Sequence, residues 1–436
     1  METLLERAWV TASQVSNYEL RGVVTDMTGL IIEGTGPLVP IGSQVSIRSA
    51  GQDIPAQVVG FRSDKVLLMP FAEADGIAPG SSIFATAGTN RVYVSDALKG
   101  RVIDALGNAI DGQPLPCMEE TVPLFRDPPN PVTRSRITKC LDLGVRSINS
   151  LLTVGEGQRV GIMAGSGVGK STLLGMVAKN AHSDVNVIAL VGERGREVRE
   201  FIERDLGPEG LARSIVVVAT GNQSALLRIR AAFLATSIAE YFRDQGKKVM
   251  LMVDSVTRLA MAQREVGLAV GEPPSTRGYT PSVFSILPKL LERAGTCEGE
   301  GSITGLYTVL VEGDDMNEPV ADAVRGILDG HVVLSRRLAG RGHYPAIDVL
   351  QSISRVMSDI VDPELLKCAA DVRDVLASYQ EVEDLITIGA YKPGQNPRVD
   401  RAVALHDKVE EFLKQSSEEG HSLNESWRSM FEIVGR

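Results

Sequence analysis

The chain has 436 residues, with 55 acidic and 45 basic side chains and a formal net charge of −10. That length exceeds what one ordinary hydrophobic core accommodates, so we expect two or three domains. An acidic balance argues against a surface that tracks nucleic acid, which is usually basic, although a local basic groove can hide in an acidic chain. Its 43% hydrophobic content is that of a globular protein and argues against disorder.

The sequence indicates neither secretion nor membrane insertion. Its first residues lack the basic region, apolar run and small-residue cleavage site of a signal peptide. The longest apolar stretches, such as Val249 to Val253, are far shorter than the ~20 residues that span a bilayer. The four cysteines are too scattered for a zinc knuckle or a redox pair. We therefore expect a cytosolic protein that meets a membrane only peripherally.

Residues 1–93 have the pattern of a small β-barrel. Short β-rich runs between Tyr18 and Val92 are broken by glycine every few residues, which is typical of short strands in a closed barrel. The first seven residues place Leu4 and Leu5 beside charged neighbours. They form either a short amphipathic helix or a frayed terminus. We predict a barrel domain over residues 1–93, with the short helix at its start.

The remaining chain predicts an α/β domain followed by a helical one. A turn-rich connector runs from about Gly100 to Asn149, and from Gly157 onward short β-branched runs alternate with helical segments. This alternation predicts crossover connections and a mainly parallel sheet covered by helices on both faces. After about Ser358 helical periodicity replaces the strand runs. The predicted boundaries are 94–358 for the α/β domain with its connector and 359–436 for the helical domain.

The strongest local signal is a glycine-rich turn between a predicted strand and a predicted helix, Ala164-Gly-Ser-Gly-Val-Gly-Lys-Ser171. Its glycines let backbone N–H groups wrap a polyphosphate, and the helix N-terminus adds partial positive charge. Lys170 supplies a full charge for the β and γ phosphates, and the Ser171 hydroxyl can bind Mg²⁺. The predicted nucleotide-binding residues of this turn are Gly165, Ser166, Gly167, Val168, Gly169, Lys170, Ser171 and Thr172.

Two acidic residues downstream of the phosphate loop stand at the ends of predicted buried strands. Asp254 ends the apolar strand Val249 to Val253, so it is a candidate for the Mg²⁺ shell. Glu193 follows the strand after the phosphate-loop helix, where a carboxylate can orient and deprotonate an attacking water. A salt bridge between Glu193 and Arg194 or Arg196 is the alternative. Arginine also suits the charge of the transition state, and Arg258 and Arg355 are the candidates.

Longer stretches resemble the rotary ATP synthase catalytic subunit and its secretion-system relatives over essentially the whole chain. The stretches that carry this resemblance are Gly192–Arg194, Asp254–Arg258, Tyr344–Asp348 and Ser354–Val356. Other stretches are similar to the flagellar export ATPases: Gly165–Met176, Ala239–Gly246, Ala262–Glu265, Gly271–Pro274, Arg277–Tyr279, Glu312–Pro319 and Arg341–Asp348. The stretch Arg341–Asp348 favours the flagellar branch over the injectisome branch.

The resemblance implies a fold and individual residue roles. The fold is a small N-terminal β-barrel, a central RecA-like P-loop ATPase domain with a mainly parallel sheet, and a C-terminal helical domain. Glu193 would be the catalytic carboxylate, and Arg194 and Arg258 would contact the γ-phosphate. Arg355 would reach into the neighbouring subunit's site. Tyr344 would stack on adenine; otherwise its Tyr-Pro step is a turn beside the core.

The resemblance also implies partners and a location. The chain would hydrolyse Mg-ATP in a homohexameric ring that energises flagellar protein export. It would bind a peripheral-stalk regulator, a central-stalk coiled coil, an export-gate membrane protein and chaperone-cargo complexes, but no nucleic acid. The ring would lie in the cytoplasm at the flagellar base, peripheral to the inner membrane. Two departures from relatives are Cys140, where proline is usual, and Gly221–Ser224, which replaces a more acidic stretch.

Four other functions compete with this interpretation. An injectisome ATPase shares the family. A nucleic-acid motor ring would need aromatic stacking platforms on a basic barrel face, but residues 18–92 hold few aromatics: Tyr18, Phe61, Phe71 and Phe84. A binding platform with incidental turnover would not need Lys170, Glu193 and Arg355 together. Net ATP synthesis would require other subunits to deliver torque.

Overall fold

The computed structural model describes residues 20–49, 51–86 and 90–435. The chain divides into two compact units: a smaller one up to Arg91 that also includes Glu265–Pro273, and a larger one with the rest. The predicted domain boundaries after residues 93 and 358 stay predictions. The short helix predicted for the first seven residues lies outside the described residues. Within the described ranges, no helix combines the length and apolar character needed to cross a membrane.

The smaller unit contains a closed six-stranded barrel in which every strand pair is antiparallel. Its strands are β1 (Arg21–Thr28), β2 (Ile31–Gly34), β3 (Gln44–Ser49), β4 (Gln52–Arg62), β5 (Lys65–Pro70) and β6 (Ser82–Ala85). They follow the order β1-β2-β5-β4-β3-β6 around the barrel. Alternate residues point inward, as with Val45 and Ile47 of β3, because side chains alternate between the faces of a strand. The predicted barrel is confirmed.

The connector holds more strand than the sequence indicates. Its strands are β7 (Arg91–Val94), β8 (Val102–Asp104), β9 (Glu120–Pro123), β10 (Cys140–Leu141) and β11 (Val154–Gly155). Strands β7 and β9 pair with each other, as do β10 and β11, while β8 joins the edge of the main sheet. Cys140 lies half-buried in β10, where its Sγ is 3.2 Å from the Ile360 carbonyl oxygen. The replacement of proline there therefore affects packing only.

The larger unit is built on a nine-stranded sheet in the order β19-β18-β12-β17-β15-β13-β14-β8, with β16 beside β17. The remaining strands are β12 (Arg159–Ala164), β13 (Val185–Glu193), β14 (Ser214–Thr220), β15 (Lys248–Asp254), β16 (Gly295–Thr296), β17 (Ser302–Leu310), β18 (Gly330–Leu334) and β19 (Ile347–Ser354). Only β16 and β19 pair antiparallel. The parallel strands are almost continuously buried, as expected where helices cover both faces. The mainly parallel α/β sheet is confirmed.

Helices cover this sheet and then replace strands altogether. The helices before the last strand are α1 (Arg146–Leu151), α2 (Lys170–Asn180), α3 (Gly195–Glu200), α4 (Gly207–Ala212), α5 (Ala225–Asp244), α6 (Val256–Val270), α7 (Pro281–Leu291), α8 (Pro319–Ile327) and α9 (Arg336–Gly340). Those after it are α10 (Met357–Ile360), α11 (Pro363–Thr387), α12 (Pro397–Leu413) and α13 (Leu423–Val434). The predicted C-terminal helical region is confirmed.

Candidate functional site

The glycine-rich turn joins the end of β12 to the start of α2. Gly167 has a φ of 78° and Gly169, the residue before the helix, a φ of 92°. These left-handed conformations favour glycine. Gly165 is less constrained: an added Cβ would come 2.9 Å from the Arg336 Nη2 and Asp314 Oδ1 atoms, but these are the ends of exposed side chains that can move. Ala164 is the last residue of β12 and is buried, so its methyl group packs in the core.

Lys170, the first residue of α2, lies between two carboxylates. Its Nζ is 3.2 Å from Glu193 Oε1 and also contacts Asp254. All three side chains are at least five-sixths buried, with exposed fractions of 11% for Lys170, 13% for Glu193 and 3% for Asp254. Burial alone would lower the pKa of Lys170, but the charges of Asp254 and Glu193 outweigh it and raise that pKa. The lysine is therefore a firm positive charge at the turn.

The two acids come together because β13 and β15 are parallel neighbours that end at the same edge of the sheet. Burial raises the pKa of Glu193 to about 7, against the opposing charge of Lys170. The hydrogen bond that Glu193 makes with Glu197 raises the pKa of Glu193 further and lowers that of Glu197. A carboxyl that titrates near neutrality, next to a phosphate turn, suits general base catalysis.

Asp254 is oriented by a hydroxyl group from the next strand. Thr308 Oγ1 of β17 donates to Asp254 Oδ1 over 2.6 Å. A carboxylate at the end of β15 and the Ser171 hydroxyl in the first turn of α2 are hard oxygen donors, which Mg²⁺ prefers when phosphate oxygens complete its shell. These residues therefore fit Mg²⁺ bound together with a nucleotide. Thr308 was not predicted, although a threonine near the end of a buried strand is an available signal.

Arg258 packs against the strand that carries Glu193. It lies in the first turn of α6, and a Cβ added to Gly192 would come 2.9 Å from the Arg258 Cβ. Gly192 has a φ of 74°, so glycine both permits the bulge before Glu193 and admits the arginine. Within the described residues, the buried Arg258 Nε has no hydrogen-bond partner. This leaves one N–H group of the Arg258 side chain without a protein acceptor beside the strand that carries Glu193.

Arg194 and Arg196 form ion pairs with acids other than Glu193. Arg194 Nη1 is 3.1 Å from Glu197 Oε1, and its side chain is 78% exposed. Arg196 pairs with Glu200 at 2.9 Å. The alternative in which Glu193 forms a salt bridge with one of these arginines is wrong for this structure, because Glu193 pairs with Lys170 instead. Arg194 remains close in sequence, but its observed partner is not a phosphate-site residue.

Tyr344 lies against the phosphate turn, next to Gly169. It is half-exposed and precedes Pro345, and a Cβ added to Gly169 would come 3.6 Å from its Cδ1 atom. The ring thus lies beside the start of α2, where the base of a nucleotide gripped by the turn can reach it. The Tyr-Pro step is a bend next to the phosphate turn, and the stacking of Tyr344 on adenine stays a prediction.

Arg355 is not part of this constellation. It follows β19, its N–H donates to the Asp329 carbonyl over 3.0 Å, and Asp329 also bonds Arg159 at the start of β12. The phosphate turn lies at the other end of β12. A strand of six residues separates these two edges by roughly 17 Å, which an arginine side chain does not cross. Arg355 is exposed at the edge where the parallel strands begin.

Known proteins match this chain over nearly its full length. The ATP synthase alpha/beta family, nucleotide-binding domain, matches residues 144–354, and the T3SS EscN ATPase C-terminal domain matches residues 361–432. The flagellum-specific ATP synthase of Bacillus subtilis (strain 168) is 57% identical over 422 residues, which are 96% of each chain. The type 3 secretion system ATPase of Xanthomonas euvesicatoria is 48% identical over 96% of this chain and 94% of its own.

A solved structure agrees with the fold as a whole. The assembled ATPase EscN from the enteropathogenic E. coli type III secretion system superposes with a TM-score of 0.90 at 46% sequence identity. The match covers 95% of this chain and 100% of that one. The nucleotide site described above lies within the matched nucleotide-binding domain. The chain therefore belongs to the ATP synthase alpha/beta family, among its flagellum-specific and type III secretion ATPases.

Proposed function

We propose that this ATPase hydrolyses Mg-ATP in a ring of six identical subunits and energises export of flagellar proteins. One observation carries the proposal. A single chain holds Lys170 between two acids at one edge of its sheet, and exposes Arg355 at the opposite edge. In a head-to-tail ring, the edge of one subunit that carries Arg355 meets the edge of the next subunit that carries Lys170. Identical chains can therefore complete every site.

The chain's own residues divide the work of phosphoryl transfer. The backbone of the turn and Lys170 grip the β and γ phosphates, for which Lys170 exchanges its carboxylate partners. Ser171 and Asp254 would hold Mg²⁺, which would draw charge from the phosphate oxygens. Glu193 accepts the proton of the attacking water as it becomes a nucleophile. Thr308 keeps Asp254 in place during this step.

Cations stabilise the charge that develops on the γ-phosphate. Arg258 lies beside the strand that ends in Glu193 and contributes from within the same subunit. Arg355 contributes from the neighbouring subunit, as a planar fork suited to several phosphate oxygens. Arg194 is the weakest of the three candidates, because its contact with Glu197 would first have to break. Tyr344 stacks on adenine and so favours ATP over a bare triphosphate.

The export role and the partners follow from relatives. The flagellum-specific ATP synthase of B. subtilis is 57% identical to this chain, against 48% for the Xanthomonas type 3 secretion system ATPase, which supports the flagellar role. EscN has been solved in complex with its central stalk EscO, which supports a coiled-coil stalk partner for this chain. We further propose a peripheral-stalk regulator, an export-gate membrane protein and chaperone-cargo complexes as partners, at the cytoplasmic face of the inner membrane.

The test separates binding from hydrolysis and hydrolysis from export. We expect Lys170→Ala to abolish measurable nucleotide binding, and Glu193→Gln to bind ATP while hydrolysis falls by roughly 10²–10⁴-fold. Lys179→Ala, at the far end of the same helix, removes a side chain that pairs with exposed Glu418. It is the matched control and should hydrolyse normally. Full hydrolysis by Lys170→Ala would contradict the proposed site.

Cellular assays distinguish the remaining functions. In a strain that lacks the gene, the wild-type chain should restore secretion of flagellar subunits, and Glu193→Gln should not. Restoration of injectisome effector secretion instead would favour the alternative type III role. Normal flagellar secretion with Glu193→Gln would favour a binding platform, and stimulation of ATP hydrolysis by RNA would favour a nucleic-acid motor.

A further inference from the structure

One segment of the C-terminal helical region contacts both the Tyr344 carbonyl and the side chain of the preceding residue. The Tyr344 carbonyl accepts a hydrogen bond from the Gln415 N–H over 2.9 Å. The preceding residue, His343, is only 2% exposed, and its Nδ1 is 2.9 Å from Glu410 Oε2. Glu410 lies in the last turn of α12, and Gln415 follows two residues after the helix. The position of Tyr344 therefore depends on where this helix end lies.

Gln415 anchors that helix end to the nucleotide-binding sheet. Its Oε1 accepts from the Arg146 N–H over 2.8 Å, and its Nε2 donates to the Gly144 carbonyl over 2.8 Å. Both partners lie at the start of α1. Gln415 thus makes several buried contacts, and replacing it would disturb the packing of the whole region. It is a structural anchor rather than a selective probe of Tyr344.

The contact between His343 and Glu410 is a more selective link. The carboxylate accepts a hydrogen bond from Nδ1–H, which places the imidazole proton on Nδ1. This hydrogen bond lowers the pKa of Glu410 despite burial, so the pair is charge-assisted at neutral pH. The buried His343 Nε2 has no hydrogen-bond partner within the described chain. Glu410 therefore provides the side-chain hydrogen bond that orients this ring.

We propose that Glu410 is a positioning residue that acts through His343 to set the Tyr344 ring beside the phosphate turn, and thereby tunes affinity for the nucleotide base. The inference rests on the proposed function, because it takes Tyr344 as the stacking surface for adenine. It adds a route by which the C-terminal helices influence the nucleotide site. A displacement of α12 would move the backbone of His343 and Tyr344 together.

The geometry predicts an effect on binding without an effect on chemistry. Lys170 and Glu193, which act on the phosphates and the water, belong to α2 and β13 and have no contact with Glu410. Losing the charge-assisted hydrogen bond should let the Tyr344 backbone shift, which weakens base stacking in the ground state and transition state alike. Such a change raises KM and leaves kcat in place.

The experiment compares Glu410→Ala with Glu411→Ala, the adjacent exposed residue on the same helix. We expect Glu410→Ala to raise the KM for ATP on the order of tenfold, with kcat within about twofold of wild type. Glu411→Ala should change neither. Glu410→Gln should retain part of the affinity, because its amide oxygen still accepts from Nδ1–H. With inorganic triphosphate, which has no base, Glu410→Ala and wild type should have equal KM values.

A double-mutant cycle with Tyr344→Ala decides whether the effect passes through Tyr344. Support requires that Glu410→Ala raise the KM no further in the Tyr344→Ala background. Additive effects, a parallel loss with triphosphate, or a matching fall in kcat would overturn the inference alone. An unchanged ATP KM in Tyr344→Ala would overturn both the inference and the assignment of adenine stacking. If Glu410→Ala does not fold, His343→Asn, which can still donate to Glu410, is compared with His343→Ala in the same assays.

Discussion

The two edges of the parallel sheet differ in how completely one chain builds them. At the edge where the strands end, Lys170, Glu193 and Asp254 are buried and bonded to one another. At the edge where the strands begin, Arg355 is exposed and its guanidinium donates to the Arg325 carbonyl over 3.2 Å. The charged groups of the first edge contact one another within one chain. The second presents a cation outward.

The difference indicates how catalytic control is divided in such a protein. Roughly 17 Å of strand separates Arg355 from the phosphate turn of its own chain, and we propose for this reason that Arg355 acts on the site of a neighbouring subunit. On that proposal, one subunit can bind nucleotide alone, but rapid hydrolysis requires a second subunit.

Among the changes that test this comparison, removing Arg355 should have the largest effect. Arg355 is the cation that the edge where the strands begin contributes to the transition state. We expect Arg355→Ala to lower kcat by about 10³-fold while ATP binding is unchanged. Steady-state hydrolysis and fluorescent-nucleotide titration measure the two quantities. Arg398→Ala, an exposed arginine on α12 that pairs with Asp374, is the control and should keep its activity.

Mixing two inactive variants tests whether Arg355 of one subunit acts together with the phosphate turn of another. A Lys170→Ala subunit still carries Arg355 and can complete the intact phosphate turn of an Arg355→Ala neighbour. In equimolar mixed rings, about a quarter of the subunit contacts combine two intact halves, so about a quarter of wild-type activity should return. Mixed rings that form but stay inactive would contradict the action of Arg355 on a neighbour's site.

The pH dependence of hydrolysis tests whether Glu193, at the edge where the strands end, acts as the base. Burial raises the pKa of Glu193 to about 7 in the free enzyme, and only the ionised carboxylate can accept a proton from water. The value of kcat/KM should therefore be level above pH 7 and fall about tenfold for each pH unit below it. A pH–rate profile with ATP at low saturation measures this limb.

Replacing Glu197 should change the pH below which kcat/KM falls. Its hydrogen bond with Glu193 raises the pKa of Glu193, so Glu197→Ala should lower this pKa and shift the fall in kcat/KM to lower pH. Glu200→Ala removes a nearby exposed acid that pairs with Arg196 and is the matched control. Identical profiles for the two variants would show that the hydrogen bond to Glu197 does not set the protonation of the base.

The parts of this site that were predictable from sequence are those that local chain geometry dictates. The turn from Gly165 to Gly169 is recognisable because only glycine accepts its left-handed residues, and Asp254 because it ends a short apolar strand. The barrel and the parallel sheet were likewise predictable, since strand length, glycine spacing and helix–strand alternation are local patterns.

The rest depends on contacts between distant segments. Thr308 reaches Asp254 only because β17 lies beside β15, and no spacing in the sequence states that order. Glu410 lies 67 positions from His343, on a helix whose periodicity indicates burial but not its partner. Arg355 was a candidate from its residue type, and the resemblance implied that it reaches a neighbouring subunit. The strand order was needed to show that it lies at the opposite edge. The addition of β8 to the sheet was missed because its three residues sit in a turn-rich connector.

The smallest expected effect concerns the surface around Arg355 rather than the arginine itself. Ile353 lies on β19, the edge strand of the sheet, with 47% of its surface exposed. Ile353→Ser should change the free energy of unfolding by no more than about 0.5 kcal/mol, because the side chain is largely solvated in one subunit. If a neighbouring subunit covers it, the lost apolar contact should raise the protein concentration at half-maximal specific ATPase activity by about fivefold. Leu385→Ser, an equally exposed apolar residue near the end of α11, is the control. If specific activity did not depend on protein concentration in any of these proteins, the surface around Arg355 would not contribute to the site of a neighbouring subunit.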